Sequence, residues 1–299
     1  MKTADVLAGL LGDERICIAD VGAADGLAKR WRPIAPLLRV VAFEPDARSE
    51  AGTDQRFGAE AIVVPRAAAA SEGESSLYLT RKPRCSSLFA PNRKVVERYP
   101  DPGRYDVIGT ATVSCTTVDA AMAQAGLVMD FLKIDTQGTE LDVLRGAARS
   151  LESCLGIEVE VEFQPLYTGA ALFREVDGYV SGHGFELFDL RRTFFTRESA
   201  SQPVQQDKGQ LVFGDALYFR DWRLLGGRRR VLTLATLLLT YGFADVVMEI
   251  ARGSEWLSDA DRDQLEKLCA ALQPVGTGPA DRKDRYLGTG LLLSEACRP

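Results

Sequence analysis

"DFLKIDTQGTELDVLRGA", Asp130 to Ala147, changes its period in the middle. The first half, up to Asp135, reads as a short buried strand, and from Thr139 the apolar residues recur at helical spacing. Side chains alternate along a strand, so Lys133 and Asp135 share one face. A central parallel strand is usually a near-continuous apolar run, and a lysine within one needs a partner. The next strand, "GIEVEVEF", offers Glu158, Glu160 and Glu162 on one face. Lys133 is expected to pair with one of them, Glu160 first, in a structural role; a catalytic lysine is the competing reading.

Working outward, strand and helix patterns alternate from residue 1 to about 220, the sign of a mostly parallel sheet covered by helices. "ICIADVG", "RVVAFEP", "AIVVPR", "MDFLKID", "GIEVEVEF", "FELFDL" and "QLVFGDALYF" supply seven main strands of a doubly wound α/β sheet. "SSLYLT" and "DVIGTATVSC" alternate like added strands, and "RKPRCSSLFAPN" between them reads as loop. In "TTVDAAMAQAG" a Thr opens a helix and Gly126 stops it. From 221 onward "GGRRR", "VLTLATLLLTYGFADVVMEIARG" and "SDADRDQLEKLCAAL" carry only helical spacing. The expected division is a main domain at 1–220 and a helical extension at 221–299. An apolar run after three arginines suits peripheral contact with a membrane surface; packing on the main domain, or across a homodimer, is the plainer reading and the one preferred.

The 299 residues are 46% apolar and 26% charged, enough to bury a core without staples. A net charge of −6 offers no overall footprint for a polyanion, so no nucleic-acid partner is expected. The six cysteines form no C-x-x-C pair and are expected to be free thiols in a reducing compartment. With no signal-peptide pattern and no apolar run of about 20 residues, the expected location is cytoplasmic.

Ligands of open α/β sheets bind at the carboxyl ends of the strands, where strand order reverses. Here the first strand ends in "DVGAADG", Asp20 to Gly26. Gly22 permits a tight turn, and Gly26 lets the next helix come close. The additional glycine of a dinucleotide fingerprint is missing, and Asp20 suits an ammonium better than a diphosphate. Glu44, closing the second strand, can accept hydrogen bonds from both hydroxyls of a ribose. This D-x-G-x-x-x-G turn with an acid on the next strand fits S-adenosyl-L-methionine; an ordinary strand–helix turn with a surface glutamate is the plain alternative.

With "IADVGAADG", "VAFEPDAR", "AAASEGESSLYL", "TTVDAAMAQAG", "DFLKIDTQGTELDVLRGA" and "EVEFQPLYTGA" in order, residues 15–220 resemble the FkbM-type methyltransferases. The resemblance implies a class I methyltransferase-like, Rossmann-like fold and O-methylation of a hydroxyl on a sugar, glycolipid or natural product. It further implies that Asp20, Gly22, Ala23 and Gly26 line the methionine end of the cofactor, that Glu44 holds the ribose, and that Ala69 and Ala70 lie near the adenine. Alanines stand in the first motif where other members carry Gly or Asn, a mild departure.

An aliphatic hydroxyl becomes a good nucleophile only as its proton leaves, which calls for a carboxylate base. Asp135, at the carboxyl end of its strand, is the first candidate and Glu162 the second; an Asp135 that only orders its loop is the rival reading. Gln137, Gln164 and Tyr167, in strand-to-helix loops, are candidate acceptor contacts. Arg191 and Arg192, taken to follow a strand, could hold an anion or form a solvated face. His183 falls in a helix-to-strand loop at the opposite sheet edge and is rejected as a base. Asp135 with Glu162 makes too thin an oxygen set for a divalent ion, so no metal is assigned. No N-P-P-Y, D-P-P-Y or Pro-Cys motif supports a nucleic-acid methyltransferase. A non-catalytic module of the same fold, acting through its helical tail, is the alternative function.

Overall fold

The computed structural model of the chain describes residues 3–24, 26–46, 57–197 and 208–271. The last part of the sequence-defined extension and Cys297 lie outside them. Helix α1 (Thr3–Leu11) precedes β1 (Ile16–Val21), all six of whose residues are buried. A 3-10 helix (Lys29–Leu37), β2 (Leu38–Phe43) and β3 (Glu60–Val64) follow. After a small added sheet the chain returns through α3 (Val118–Ala125), β7 (Phe131–Ile134), α4 (Glu140–Arg145), α5 (Ser150–Ser153), β8 (Gly156–Glu162) and α6 (Phe173–Gly182). The long strands β9 (Phe185–Phe195) and β10 (Gln210–Arg220) complete the sheet.

Sheet order is β3-β2-β1-β7-β8-β10-β9. Six strands run in one direction, and only β10, between β8 and β9, is reversed among the described strands. The chain builds outward from β1 in one direction and then restarts at β7 in the other, which makes the gap between β1 and β7 the switch point where such sheets bind ligands. This is the seven-stranded, mostly parallel arrangement of class I methyltransferases. Thr117 caps α3 by accepting a hydrogen bond from Ala120 N at 3.0 Å, and Gly126 ends it in the left-handed region.

The added sheet has the order β4-β6-β5, built from β4 (Ala67–Ala68), β5 (Gly73–Thr80) and β6 (Val107–Thr116). Its 81–106 connection is not plain loop. It holds a 3-10 turn at Pro83–Cys85 and the single turn α2 (Arg93–Val96), and it packs Tyr99 and Tyr105 with Tyr167 and Val212 in a small core of their own. Arg191 and Arg192 lie within β9 rather than after it, and Arg191 pairs with Asp215 of β10 at 2.5 Å.

One face of the main sheet is covered by α3 to α6. The other is covered by α1, the 3-10 helix and α7 (Arg228–Tyr241), with α8 (Ala244–Gly253) and α9 (Asp259–Ala270) outside α7. Every α7 residue from Val231 to Thr240 is buried. Two of its three buried threonine hydroxyls bond to the preceding turn, Thr236 donating to Leu232 O and Thr240 to Thr236 O, both at 2.9 Å. The apolar run is therefore spent on the core. Two of the three arginines are held as well: Arg228 is bidentate to Asp261, and Arg229 is bidentate to Asp130 at 2.9 and 3.0 Å. No helix among the described residues is long and apolar enough to cross a membrane. The five described cysteines are buried and unpaired.

Candidate active site

The site begins where β1 and β7 end. Asp135 N donates to Val21 O at 2.9 Å, which draws the two strand ends together. At Gly22 the backbone turns with φ +82°, and a Cβ there would stand 1.9 Å from Asp135 O. Only glycine permits this approach. Past Asp135, the turn Thr136-Gln137-Gly138 is organised by Glu140, whose buried carboxylate accepts from Thr136 N, Thr136 Oγ1 and Gly138 N at 3.0 to 3.1 Å. Burial raises the Glu140 pKa, opposed by those backbone donors. Held this way, Gln137 adopts φ +61°, a conformation that a non-glycine residue reaches only when its surroundings impose it.

Gln137 then joins three groups. Its Nε2 donates to Asp135 Oδ1 at 2.7 Å and to Glu160 Oε1 at 2.8 Å, while its Oε1 accepts from the Tyr167 hydroxyl at 3.1 Å. Glu160 is held well above the carboxylate range by burial, with the nearby Asp135 and Glu140 charges adding to it. Burial therefore favours its protonated form.

These groups open onto a cavity of about 480 Å³, within the range typical of small-molecule sites. Its wall carries the acids Glu44, Asp46 and Asp135 with Gly22, and also Lys82, Arg84 and Arg104 with Phe195 and Phe213. Glu44 Oε1 accepts from Asp46 N at 2.8 Å, and burial raises its pKa.

Beneath the cavity floor lies an ion-pair network that differs from the expected one. Lys133 does not pair with Glu160: its Nζ stands 3.2 Å from Asp20 Oδ1 on the opposite neighbouring strand and donates to Gly22 O at 3.1 Å. Burial works against its charge, but the Asp20 and Asp135 carboxylates outweigh it and raise its pKa, so Lys133 stays protonated. Glu158, beside Lys133 on β8, is taken instead by Arg30 at 2.6 Å and by the Tyr241 hydroxyl at 2.7 Å.

Among the residues singled out in the sequence, Gly22, Glu44, Asp135 and Gln137 come together on the cavity wall. Asp20, Ala23 and Gly26 are buried behind it. The wall passes at Ala67 and Ala68, two residues before Ala69 and Ala70, and Ala70 is exposed. Glu162 is not on the wall; it accepts from Leu166 N at 2.9 Å, and burial together with Glu140 pushes its pKa up to about 9. Gln164 folds back on Phe163 O, and Tyr167 is not on the wall but touches wall residues, its hydroxyl meeting Cys85 O at 2.9 Å and Gln137 Oε1 at 3.1 Å. His183 caps α6, with Nδ1 2.8 Å from Tyr179 O. Sequence reasoning passed over Glu140 and took Glu160 only as a partner for Lys133.

The methyltransferase FkbM domain family matches residues 20–187. No curated protein matches the chain in sequence. Among solved structures, methyltransferase FkbM from Methylobacillus flagellatus KT is 17% identical with a TM-score of 0.37; the match covers 72% of this chain and 47% of that one, so the chain spans about half of its relative's length. Magnesium protoporphyrin IX methyltransferase from Synechocystis PCC 6803, solved with bound SAM, is 9% identical with a TM-score of 0.34, over 73% of this chain and 78% of that one. A 16S rRNA adenine methyltransferase from Catenulisporales acidiphilia, solved with its cosubstrate SAM, is 14% identical with a TM-score of 0.33, over 75% and 94%.

Proposed function

The chain belongs to the FkbM methyltransferase family, and from that premise we propose that it moves a methyl group from S-adenosyl-L-methionine to a hydroxyl of a sugar, glycolipid or natural-product acceptor. The observation that carries the hydroxyl reading is the Asp135–Gln137–Glu160 arrangement on the cavity wall.

The residues present fit this cofactor. Carboxylates of Glu44 and Asp46 line the cavity, where a cationic sulfur and an ammonium group are favoured, and the bare backbone at Gly22 keeps that part of the wall free of a side chain. When bound, S-adenosylmethionine supplies an electrophilic methyl on that sulfur. Glu44 is assigned to the ribose hydroxyls. Ala67 and Ala68 take the adenine side in place of Ala69 and Ala70. Asp20 acts from behind the wall by fixing Lys133, whose bond to Gly22 O steadies the turn.

Asp135 is assigned as the base that accepts the acceptor's hydroxyl proton. Gln137 bridges two neighbouring carboxyls, and burial favours the protonated form of Glu160 beside Asp135. Gln137 fixes Asp135 Oδ1 against both, and the Glu140-braced turn keeps Gln137 in place. Such fixing matters because displacement at the methyl requires the oxygen in line with the departing sulfur. Glu162, kept neutral and off the wall, is a poor base by comparison.

Calorimetry and radiolabelled methyl transfer to a panel of glycans test the reading together. Asp135→Asn is expected to retain cofactor binding while turnover falls by about 10²–10⁴, and Glu44→Ala to weaken binding itself. Unchanged turnover in Asp135→Asn removes Asp135 from the mechanism. A full-length protein that binds no S-adenosylmethionine points to the non-catalytic module instead.

A further inference from the structure

The cavity wall carries cations as well as acids, and methyl transfer accounts only for the acids. Between Arg81 and Asp106 the chain places seven cations against three carboxylates, although its net charge is −6. Two of those carboxylates are already engaged: Asp106 pairs with Arg81 at 3.2 Å and Arg93 at 2.9 Å, and Glu97 pairs with Arg93 at 3.1 Å. Among the described residues neither Lys82 nor Arg104 has an ion-pair partner, yet both line the cavity, with Arg84 between them in sequence.

Arg104 is held in place without being neutralised. Its guanidinium carbon stands 4.9 Å from the ring centroids of both Tyr105 and Phe195, an aromatic clamp that fixes the plane of the group. Its Nη2 reaches only the Tyr105 hydroxyl at 3.4 Å, and its buried Nε has no acceptor at all. Leaving a cationic donor unsatisfied in a part-buried site is unfavourable unless a ligand completes it. A planar, immobilised guanidinium is matched to carboxylate and phosphate oxygens.

We propose that the acceptor carries an oxyanion, a carboxylate or phosphate, which Arg104 and Lys82 hold at the cavity wall. This rests on the methyl-transfer reading for the word acceptor, but not for the anion site. With its negative group held by these cations, the substrate would be left with a neutral hydroxyl to offer the base.

Full-length protein saturated with S-adenosylhomocysteine is titrated calorimetrically with inorganic phosphate, glucose, glucuronate and glucose 6-phosphate. The three anions are expected to bind, with glucose at least about tenfold weaker, and Lys82→Gln and Arg104→Gln each to weaken the anions by about tenfold, the scale of one charge-assisted hydrogen bond. Lys82 is exposed, so its variant tests the site without disturbing the aromatic clamp. Equal binding of glucose and glucuronate, or anion binding untouched in both variants, overturns the proposal. Tighter binding of a uridine oligonucleotide than of any sugar overturns the small-molecule class. Phosphate binding in a protein that ignores S-adenosylhomocysteine upholds the anion site and sinks methyl transfer; the converse result sinks the anion site alone.

Discussion

At Gly22 a single methyl group is too much. An alanine Cβ would collide with Asp135 O at 1.9 Å and would have to hold a φ of +82°, so Gly22→Ala is expected to destabilise the protein by about 3 kcal/mol or more. Urea denaturation measures this; a wild-type midpoint would show that the strand ends do not touch. The glycine was readable in the sequence because a turn after a first strand has few other uses for it. The partner of Lys133 was not. Lys133 lies between Asp20 and Glu158 in register, and alternation alone places carboxylates on both sides. What decided between them was Arg30 and Tyr241, delivered to Glu158 by a 3-10 helix and by the end of α7, whose positions no periodicity reveals. The same holds for Gln137: its left-handed backbone comes from Glu140 beneath the turn, a contact made only once the strand has ended.

Among the elements, the parallel strands and α3 were legible because a period of two and a paired cap and stop are local signals. The two-residue β4 carries too little pattern to be read, and the length of β9 was cut short because Arg191 and Arg192 look like loop until Asp215 is set beside them. Helix α7 was read as helix, but its place was open. Its leucines close one face of the sheet, and each fully buried one contributes roughly 1.5–3 kcal/mol. Leu238→Ala is expected to cost about 2–5 kcal/mol, including the cavity left behind, with the urea m-value and cofactor binding unchanged. A loss under about 1 kcal/mol would mean that α7 lies loosely on the sheet.

For the molecule as a whole, the acids gathered under the cavity set the response to pH. Glu162 stands near 9 in the folded protein against an ordinary value of 4.5, and Glu160 is raised in the same direction by burial. Below about 4.5 both folded and unfolded chains hold these protons, and the groups contribute no slope. From about 4.5 to about 9 the unfolded chain releases protons that the folded chain keeps, so stability falls as pH rises, levelling off above it. Thermal melting between about pH 5 and 8.5 is expected to show a smaller decline for Glu162→Gln than for wild type; parallel declines would mean that Glu162 is ionised in the fold. The order of the strands has a consequence during synthesis. Strand β8 leaves the ribosome long before β10, which alone covers its outer edge, and α7 emerges later still. Until then a nascent chain displays an unpaired strand and a bare leucine-seeking face, the state in which chains stick to one another. Slow codons between those segments would lengthen that exposure, and a holding chaperone would find its binding surface there.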